Sequence, residues 1–218
     1  MDLSFLLGSR NGRQAAQGCA GPQREAAELR AYWESLRHDG GIPARRDIDP
    51  QRIGPMLERV FVAERIGAGL AQIRIAGSAV NEFAGVDARG LPLSCLFPPG
   101  ARLRLATLLE QVFAGPSAIE LQIRPERQKH QPVEATLLML PLKDDRGATM
   151  LMIGCISFGG DLRRARDRFT ILRTREERLI LPVPAAEPAP QQAFAEAAPA
   201  PLPARSRAHL RLVHSADR

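Results

Sequence analysis

The sequence predicts an α+β fold, in which a five-stranded antiparallel sheet has helices on one face and an additional N-terminal helix. Two observations predict this fold class. The chain contains five strand-like runs, and helical segments separate the second run from the third instead of alternating with every strand. Glycine and aspartate stand between neighbouring runs, and such short turns favour antiparallel pairing.

The N-terminal helix is predicted over residues 25 to 37, EAAELRAYWESLR. Its apolar residues recur at helical spacing and form one stripe, which consists of Ala26, Leu29, Trp33 and Leu36. After a Gly- and Pro-containing break, Asp49 and Pro50 predict the start of a short second helix. Aspartate is a good N-cap, and proline is favoured at the first helical position.

The first two strands are predicted at residues 59 to 65, RVFVAER, and 71 to 76, AQIRIA, joined as a hairpin by a glycine-containing turn. Within AQIRIA the apolar and polar residues alternate. Because side chains in a strand point to opposite faces in turn, Ile73 and Ile75 should both face the helices.

Two helical segments follow the hairpin. GSAVNEFAG predicts a small helix that carries Phe83, and ARLRLATLLEQVFAG predicts the longest helix of the chain, with Leu105 and Leu109 on its apolar side. Three strand-like runs come next, at residues 117 to 124, 133 to 142 and 149 to 158. The turn KDDRGA between the last two indicates a meander.

Composition divides the chain into four parts. Residues 1 to 24 are predicted to be a flexible segment, and residues 25 to 160 the folded domain. Residues 161 to 181 fit either a helix with a weak heptad or one more strand at FTIL, and both alternatives stay open. Residues 182 to 218 are predicted to be a disordered basic tail, because seven Pro and nine Ala fall within positions 182 to 204.

Charge and composition narrow the classes of function. The net charge is +6 with a pI of about 10.2, but the basic residues are scattered and there is one Trp and one Tyr, so nucleic-acid binding is not expected. No apolar run reaches the ~18 residues that span a bilayer, and the first ten residues make a poor signal peptide. We therefore expect a cytoplasmic protein without a membrane anchor.

The order of elements resembles the PAS fold. RIAGSAVNEFAGVDARGLPLSCLF is similar to the PAS segment that leads from the second strand through a short helix to a Leu-Phe pair. LRAYWESLR followed by GIPARRDIDPQRIGPML resembles the start of a single-PAS family found chiefly in alphaproteobacteria. Glu64 departs from that pattern, which would place an aspartate near the end of the first strand. The resemblance spans about residues 28 to 160 and implies a sensing, docking or dimerisation module.

Neither a haem nor a flavin adduct is expected. Cys95 stands two positions later than a flavin-adduct motif would place it and has neither its Asn nor its Arg neighbour, so a small packed cysteine is the favoured interpretation. No histidine lies in a predicted pocket wall, which argues against a haem ligand. The cysteines and histidines also lack the spacing of a metal site, so no metal is expected.

A ligand pocket is predicted between sheet and helices. The side chains expected to line it, or simply to form core, are Ile73, Ile75, Phe83, Leu105, Leu109 and Met152. A second set, Tyr32, Trp33 and Arg45, should close the pocket or build an interface, because aromatics and arginine are enriched at binding hot spots. The alternative for Trp33 is that it packs the N-terminal helix onto the sheet.

No catalytic motif was found, and Glu120 and Glu134 are best interpreted as surface glutamates. The sequence therefore predicts a non-enzymatic sensory or regulatory adaptor in bacterial signal transduction. Its partners would be a signalling protein such as a sensor kinase or regulator, a small-molecule ligand of unknown identity, and a second copy in a homodimer. The alternative is a constitutive interaction or dimerisation scaffold without a ligand.

Overall fold

A computed structural model describes residues 23–126, 135–158 and 168–181 of the chain. Their helices are α1 (Arg24–Ser35), α2 (Ser78–Ala84) and α3 (Pro99–Phe113). The strands are β1 (Val60–Gly67), β2 (Leu70–Ala76), β3 (Ser117–Pro125), β4 (Ala135–Leu142), β5 (Leu151–Phe158) and β6 (Phe169–Arg178). Short 3₁₀ segments lie at His38–Gly40, Arg45–Asp47, Gly54–Arg59 and Leu93–Leu96. The segments predicted to be flexible at the N-terminus and disordered after residue 181 lie almost wholly outside the described residues.

The six strands form one antiparallel sheet in the order β2-β1-β5-β4-β3-β6. The predicted α+β fold class, hairpin and meander are confirmed, but the sheet has one strand more than the five predicted. That strand is β6, which lies in the segment where helix and strand both remained open. It pairs with β3 from Phe169 to Arg178 and buries Phe169 and Ile171, which stabilises the strand over a short helix.

The predicted second helix begins later than Asp49 and Pro50 indicate. Asp49 does accept a hydrogen bond through Oδ1 from the backbone N–H of Gln51, at 2.9 Å. The chain continues from there as turns, however, and becomes helical only in the 3₁₀ segment Gly54–Arg59. The cap therefore forms a local turn rather than the start of an α-helix.

The sheet is covered on both faces. Along β4, Leu137 and Met139 point to the face covered by α2 and α3, which we call the α3 face. Leu138 and Leu140 point to the opposite face, where α1 lies, which we call the α1 face. Every residue of β4 is buried, so the central strands read as continuous apolar runs rather than as alternating ones.

Gly154 shows how closely the α3 face is packed. It lies opposite Phe61 in the pairing of β1 with β5. A Cβ atom at Gly154 would come within 2.3 Å of the Phe61 ring and 2.8 Å of the Leu138 carbonyl oxygen. The Phe61 ring therefore occupies the place of the missing side chain.

The prediction that Ile75 faces the helices is wrong. Val62 pairs with Ile75 and Ala63 with Ile73, so β2 has one residue more than β1 at this point. This β-bulge reverses the alternation, because one inserted residue turns the following side chains to the other face. Ile73 is fully buried on the α3 face, whereas Ile75 is 49% exposed.

Candidate functional site

The predicted interior pocket corresponds to the core of the α3 face. Five of its six residues lie together there and are buried: Ile73, Phe83, Leu105, Leu109 and Met152. The bulge in β2 leaves the sixth, Ile75, outside. The structure thus brings most of the predicted residues into one cluster.

Phe169 is a further member of that cluster. It is fully buried and stacks on Phe83, with ring centroids 3.9 Å apart and an angle of 5° between the ring planes. The Phe97 ring is also close, with its centroid 6.3 Å from that of Phe169 and its plane tilted by 52°. The domain predicted from the sequence ends at residue 160, so Phe169 was not expected to be part of its core. A ligand at this position would have to displace Phe169.

Trp33 belongs to the core of the α1 face. Its side chain is fully buried, and its indole N–H donates a hydrogen bond to the Pro141 carbonyl oxygen at 2.9 Å. The guanidinium groups of Arg30 and Arg37 lie 5.6 Å and 5.3 Å from the ring centroid. Of the two alternatives for Trp33, the geometry supports packing of α1 onto the sheet.

Tyr32 and Arg45 make their contacts in and near the loop that follows α1. The Tyr32 hydroxyl accepts a hydrogen bond from the Asp49 backbone N–H at 2.7 Å, and the Arg52 guanidinium lies 5.7 Å from its ring centroid. Arg45 is exposed, and its backbone N–H donates to the Lys143 carbonyl oxygen at 2.9 Å. Tyr32 thus fixes the loop after α1, and its role in closing a pocket or building an interface stays a prediction.

A cleft of about 400 Å³ lies on the α1 face, between α1 and strands β3, β4 and β6. The floor and the helix wall of the cleft are apolar, and the helix wall includes the small side chains Ala27 and Ala31 of α1. Charged side chains stand around them. The lining residues are Gln23, Ala26, Ala27, Arg30, Ala31, Glu34, Ala118, Glu120, Leu138, Arg175 and Glu177.

One group of charges at this cleft is paired. The Arg30 guanidinium lies 2.7 Å from a Glu34 carboxylate oxygen and 3.1 Å from a Glu177 carboxylate oxygen. Arg37 lies 3.2 Å from the second Glu34 oxygen, and donates to the Ile180 carbonyl oxygen at 3.3 Å. These contacts connect α1 to the end of β6.

A second pair of opposite charges lies at the cleft. Glu120 on β3 and Arg175 on β6 are directly opposed in the strand register. Among the residues that the structure describes, neither side chain has a hydrogen-bond or ion-pair partner. Both charges are therefore available to a bound molecule.

The beginning of α1 is held to β5 by a polar cluster. Glu25 accepts from the Arg59 guanidinium at 2.6 Å and from the buried Ser157 hydroxyl. Arg59 also lies over the Phe158 ring, 4.6 Å from its centroid. The nearby Cys155 thiol is buried, and this burial, with a smaller contribution from the Glu25 charge, raises its pKa to about 12.

Cys95 is exposed rather than packed, which corrects the expectation for that side chain. No three His, Cys, Asp or Glu side chains gather into a metal-binding group anywhere in residues 23–126, 135–158 and 168–181. Across those same ranges, every helix is too short or too polar to cross a bilayer.

A family model described as a PAS domain matches residues 22–157, which is more than half of the chain. The chain belongs to the PAS domain family. Membership supports a sensory or regulatory role in signalling, and PAS domains are typically non-enzymatic. None of the curated proteins matches this chain. The narrower resemblance to a single-PAS family of alphaproteobacteria stays a prediction.

The cleft of this PAS domain was missed by reasoning from the sequence, which placed the pocket on the α3 face. Ala27 and Ala31 are small residues without a distinctive chemical signal in the sequence, and Arg175 and Glu177 belong to the segment for which helix and strand both remain open. The sequence predicts Glu120 and Glu134 to be surface glutamates, and Glu134 lies outside the described residues. Two alanines spaced four apart beside the Trp33 stripe are the one signal that was available.

Proposed function

We propose that this PAS protein is a non-enzymatic sensory or regulatory adaptor in bacterial signal transduction. It acts in the cytoplasm, on a signalling protein such as a sensor kinase or regulator, and the contact to that partner or to a second copy changes when a small molecule binds. The observation that carries the proposal is the cleft between α1 and β6, because a ligand there contacts both the N-terminal helix and the edge strand of the sheet.

Strand β6 connects the two faces of the sheet. Phe169 at its beginning is buried in the core of the α3 face, and Leu179 just after its end is buried in the core of the α1 face. Glu177 contacts Arg30 of α1. A molecule that shifts α1 or β6 at the cleft therefore changes contacts on both faces, which is the differential interaction that a population shift requires.

The second candidate is a constitutive scaffold without a ligand. The filled core of the α3 face favours it, since Phe83, Phe97 and Phe169 occupy the space where a pocket was predicted. In this case α1 and β6 would be permanent parts of the domain. The cleft would then be a surface depression with no occupant.

Native mass spectrometry of the full chain, purified without denaturation, separates the two candidates. We expect a sensor to carry a small molecule that is released on denaturation. Ala31→Leu places a larger side chain into the cleft and should abolish the bound mass. Ser35→Leu places the same side chain at an exposed position of α1 that does not line the cleft, so this variant should keep the bound mass.

The bare protein mass for the wild-type chain would contradict the sensory proposal and favour the scaffold. A bound mass that survives Ala31→Leu unchanged would show that the ligand lies elsewhere. Melting curves of both variants verify that the substitutions leave the fold intact.

A further inference from the structure

We infer that the cleft binds a small zwitterion with an apolar side chain, the chemical class of the hydrophobic α-amino acids. The inference names the ligand of the cleft described above and therefore rests on the proposed function. It follows from the juxtaposition of an apolar floor with Arg175 and Glu120, which have no partner among the residues that the structure describes.

These two charges fit the two ends of a zwitterion. Arg175 presents a planar guanidinium, which binds a carboxylate through two parallel N–H donors. Glu120, directly opposite on β3, presents a carboxylate that accepts hydrogen bonds from an ammonium group. Side chains opposed in this way have Cβ atoms about 4.5 to 5.5 Å apart, so one small ligand can contact both.

The overall charge of the cleft disfavours a ligand that carries a single charge. The paired group beside it holds two cations and two anions that already neutralise one another: Arg30, Arg37, Glu34 and Glu177. The pair of Arg175 and Glu120 is neutral as well. A ligand with only a carboxylate would pair with Arg175 but would be repelled by Glu120. A ligand with only an ammonium group would pair with Glu120 but would be repelled by Arg175. A zwitterion pairs with both.

The floor of the cleft supplies the third element of recognition. Ala26, Ala27, Ala31, Ala118 and Leu138 form its apolar lining, and they present no hydrogen-bonding side chain. An aliphatic or aromatic side chain can cover this surface and remove it from water. The volume of about 400 Å³ is in the range of small-molecule sites and exceeds what an amino acid needs.

The test is calorimetric titration of the full chain with four probes. L-Leucine carries all three features, 4-methylpentanoate lacks the ammonium, 3-methylbutylamine lacks the carboxylate, and glycine lacks the apolar side chain. We expect binding of L-leucine, and affinities for the other three that are weaker by about tenfold or more, since each loses a charge-assisted bond or the apolar contact.

Two variants assign the charges. Arg175→Gln and Glu120→Gln should each weaken L-leucine binding by about tenfold. In Arg175→Gln, 3-methylbutylamine should bind as tightly as L-leucine does. In Glu120→Gln, 4-methylpentanoate should bind as tightly as L-leucine does. Neither side chain has a partner within the described residues, so melting temperatures should stay close to that of the wild-type chain. Arg173→Gln, at an exposed arginine of β6 outside the cleft lining, is the matched control.

The inference is overturned if the wild-type chain binds none of the probes, or if it binds 4-methylpentanoate as tightly as L-leucine. The proposed function and the inference about the ligand can be distinguished by their outcomes. A bound mass that depends on Ala31, together with no affinity for L-leucine, would keep the sensory cleft and reject the zwitterion.

Discussion

Phe169 lies face to face with Phe83, at a centroid distance of 3.9 Å and with the two rings 5° from parallel. Phe83 belongs to α2, inside the part of the chain that matches the PAS model, whereas Phe169 belongs to β6, beyond residue 157. The extra strand thus contributes a fully buried side chain to the core of the PAS domain. The domain that folds cooperatively should therefore extend through β6.

Replacing Phe169 tests this extension. Phe169→Ala removes a buried aromatic side chain and leaves a cavity against Phe83, so the free energy of unfolding should fall by about 3 to 5 kcal/mol. Urea unfolding measures the change. Leu172→Ala, at a side chain of the same strand that is 40% exposed, should cost much less. Equal losses for the two variants would show that Phe169 is not part of the core.

Trp33 should act as a stabilising core residue. Trp33→Ala should lower the free energy of unfolding by about 3 to 5 kcal/mol. Trp33→Phe keeps an aromatic ring but loses the hydrogen bond to Pro141, and leaves that carbonyl without its donor. The Phe variant should therefore lie between wild-type and Ala in thermal melting. A Trp33→Ala variant that melts like the wild-type chain but loses its oligomeric state would instead make Trp33 an interface residue.

The cysteines should differ sharply in reactivity. In a Cys19→Ser background, the exposed Cys95 should react at once with a thiol reagent at pH 8, because its thiol is accessible. Cys155 should react only when the protein unfolds, since burial keeps it as the neutral thiol. A thiol reagent with an absorbance readout measures how many thiols react fast and how many react slowly. Two fast thiols in the folded protein would contradict the burial of Cys155.

Stability should also depend on pH through Cys155. Its pKa is about 12 in the folded chain against an ordinary value of 9.0, so the unfolded state loses this proton first as the pH rises. The resulting contribution to stability is complete below pH 9 and is lost between about pH 9 and 12. Cys155→Ala should have a flatter alkaline profile in urea unfolding. An unchanged slope would contradict the raised pKa.

The sequence pattern was sufficient for the hairpin, the long helix and the three later strands. The long helix has a period of 3.6 residues, and β4 and β5 are recognised as continuous apolar runs separated by turn residues. The pattern failed at Ile75, where one inserted residue in β2 changes the face but not the alternation. It was also ambiguous for β6, whose charged second half has no alternation and is stabilised by pairing with β3.

The cleft could not be predicted in the same way. Its walls come from residues that are distant in the chain, such as Ala31 and Arg175, and only the packing of α1 across the sheet brings them together. The sequence shows that Ala27 and Ala31 share a side of the helix, but not what lies opposite them. The site is therefore determined by the tertiary arrangement, whereas most of the helices and strands are determined by the local sequence pattern.

The most direct test of the account is amide hydrogen exchange of the full chain, purified natively and again after the bound molecule has been removed by unfolding and refolding. The account predicts that exchange in α1 and β6 becomes faster in the stripped protein, while α3 is unchanged, and that Ala31→Leu shows no difference between the two preparations. Identical exchange in α1 and β6 of the wild-type protein before and after stripping would contradict the claim that this cleft is the sensory site.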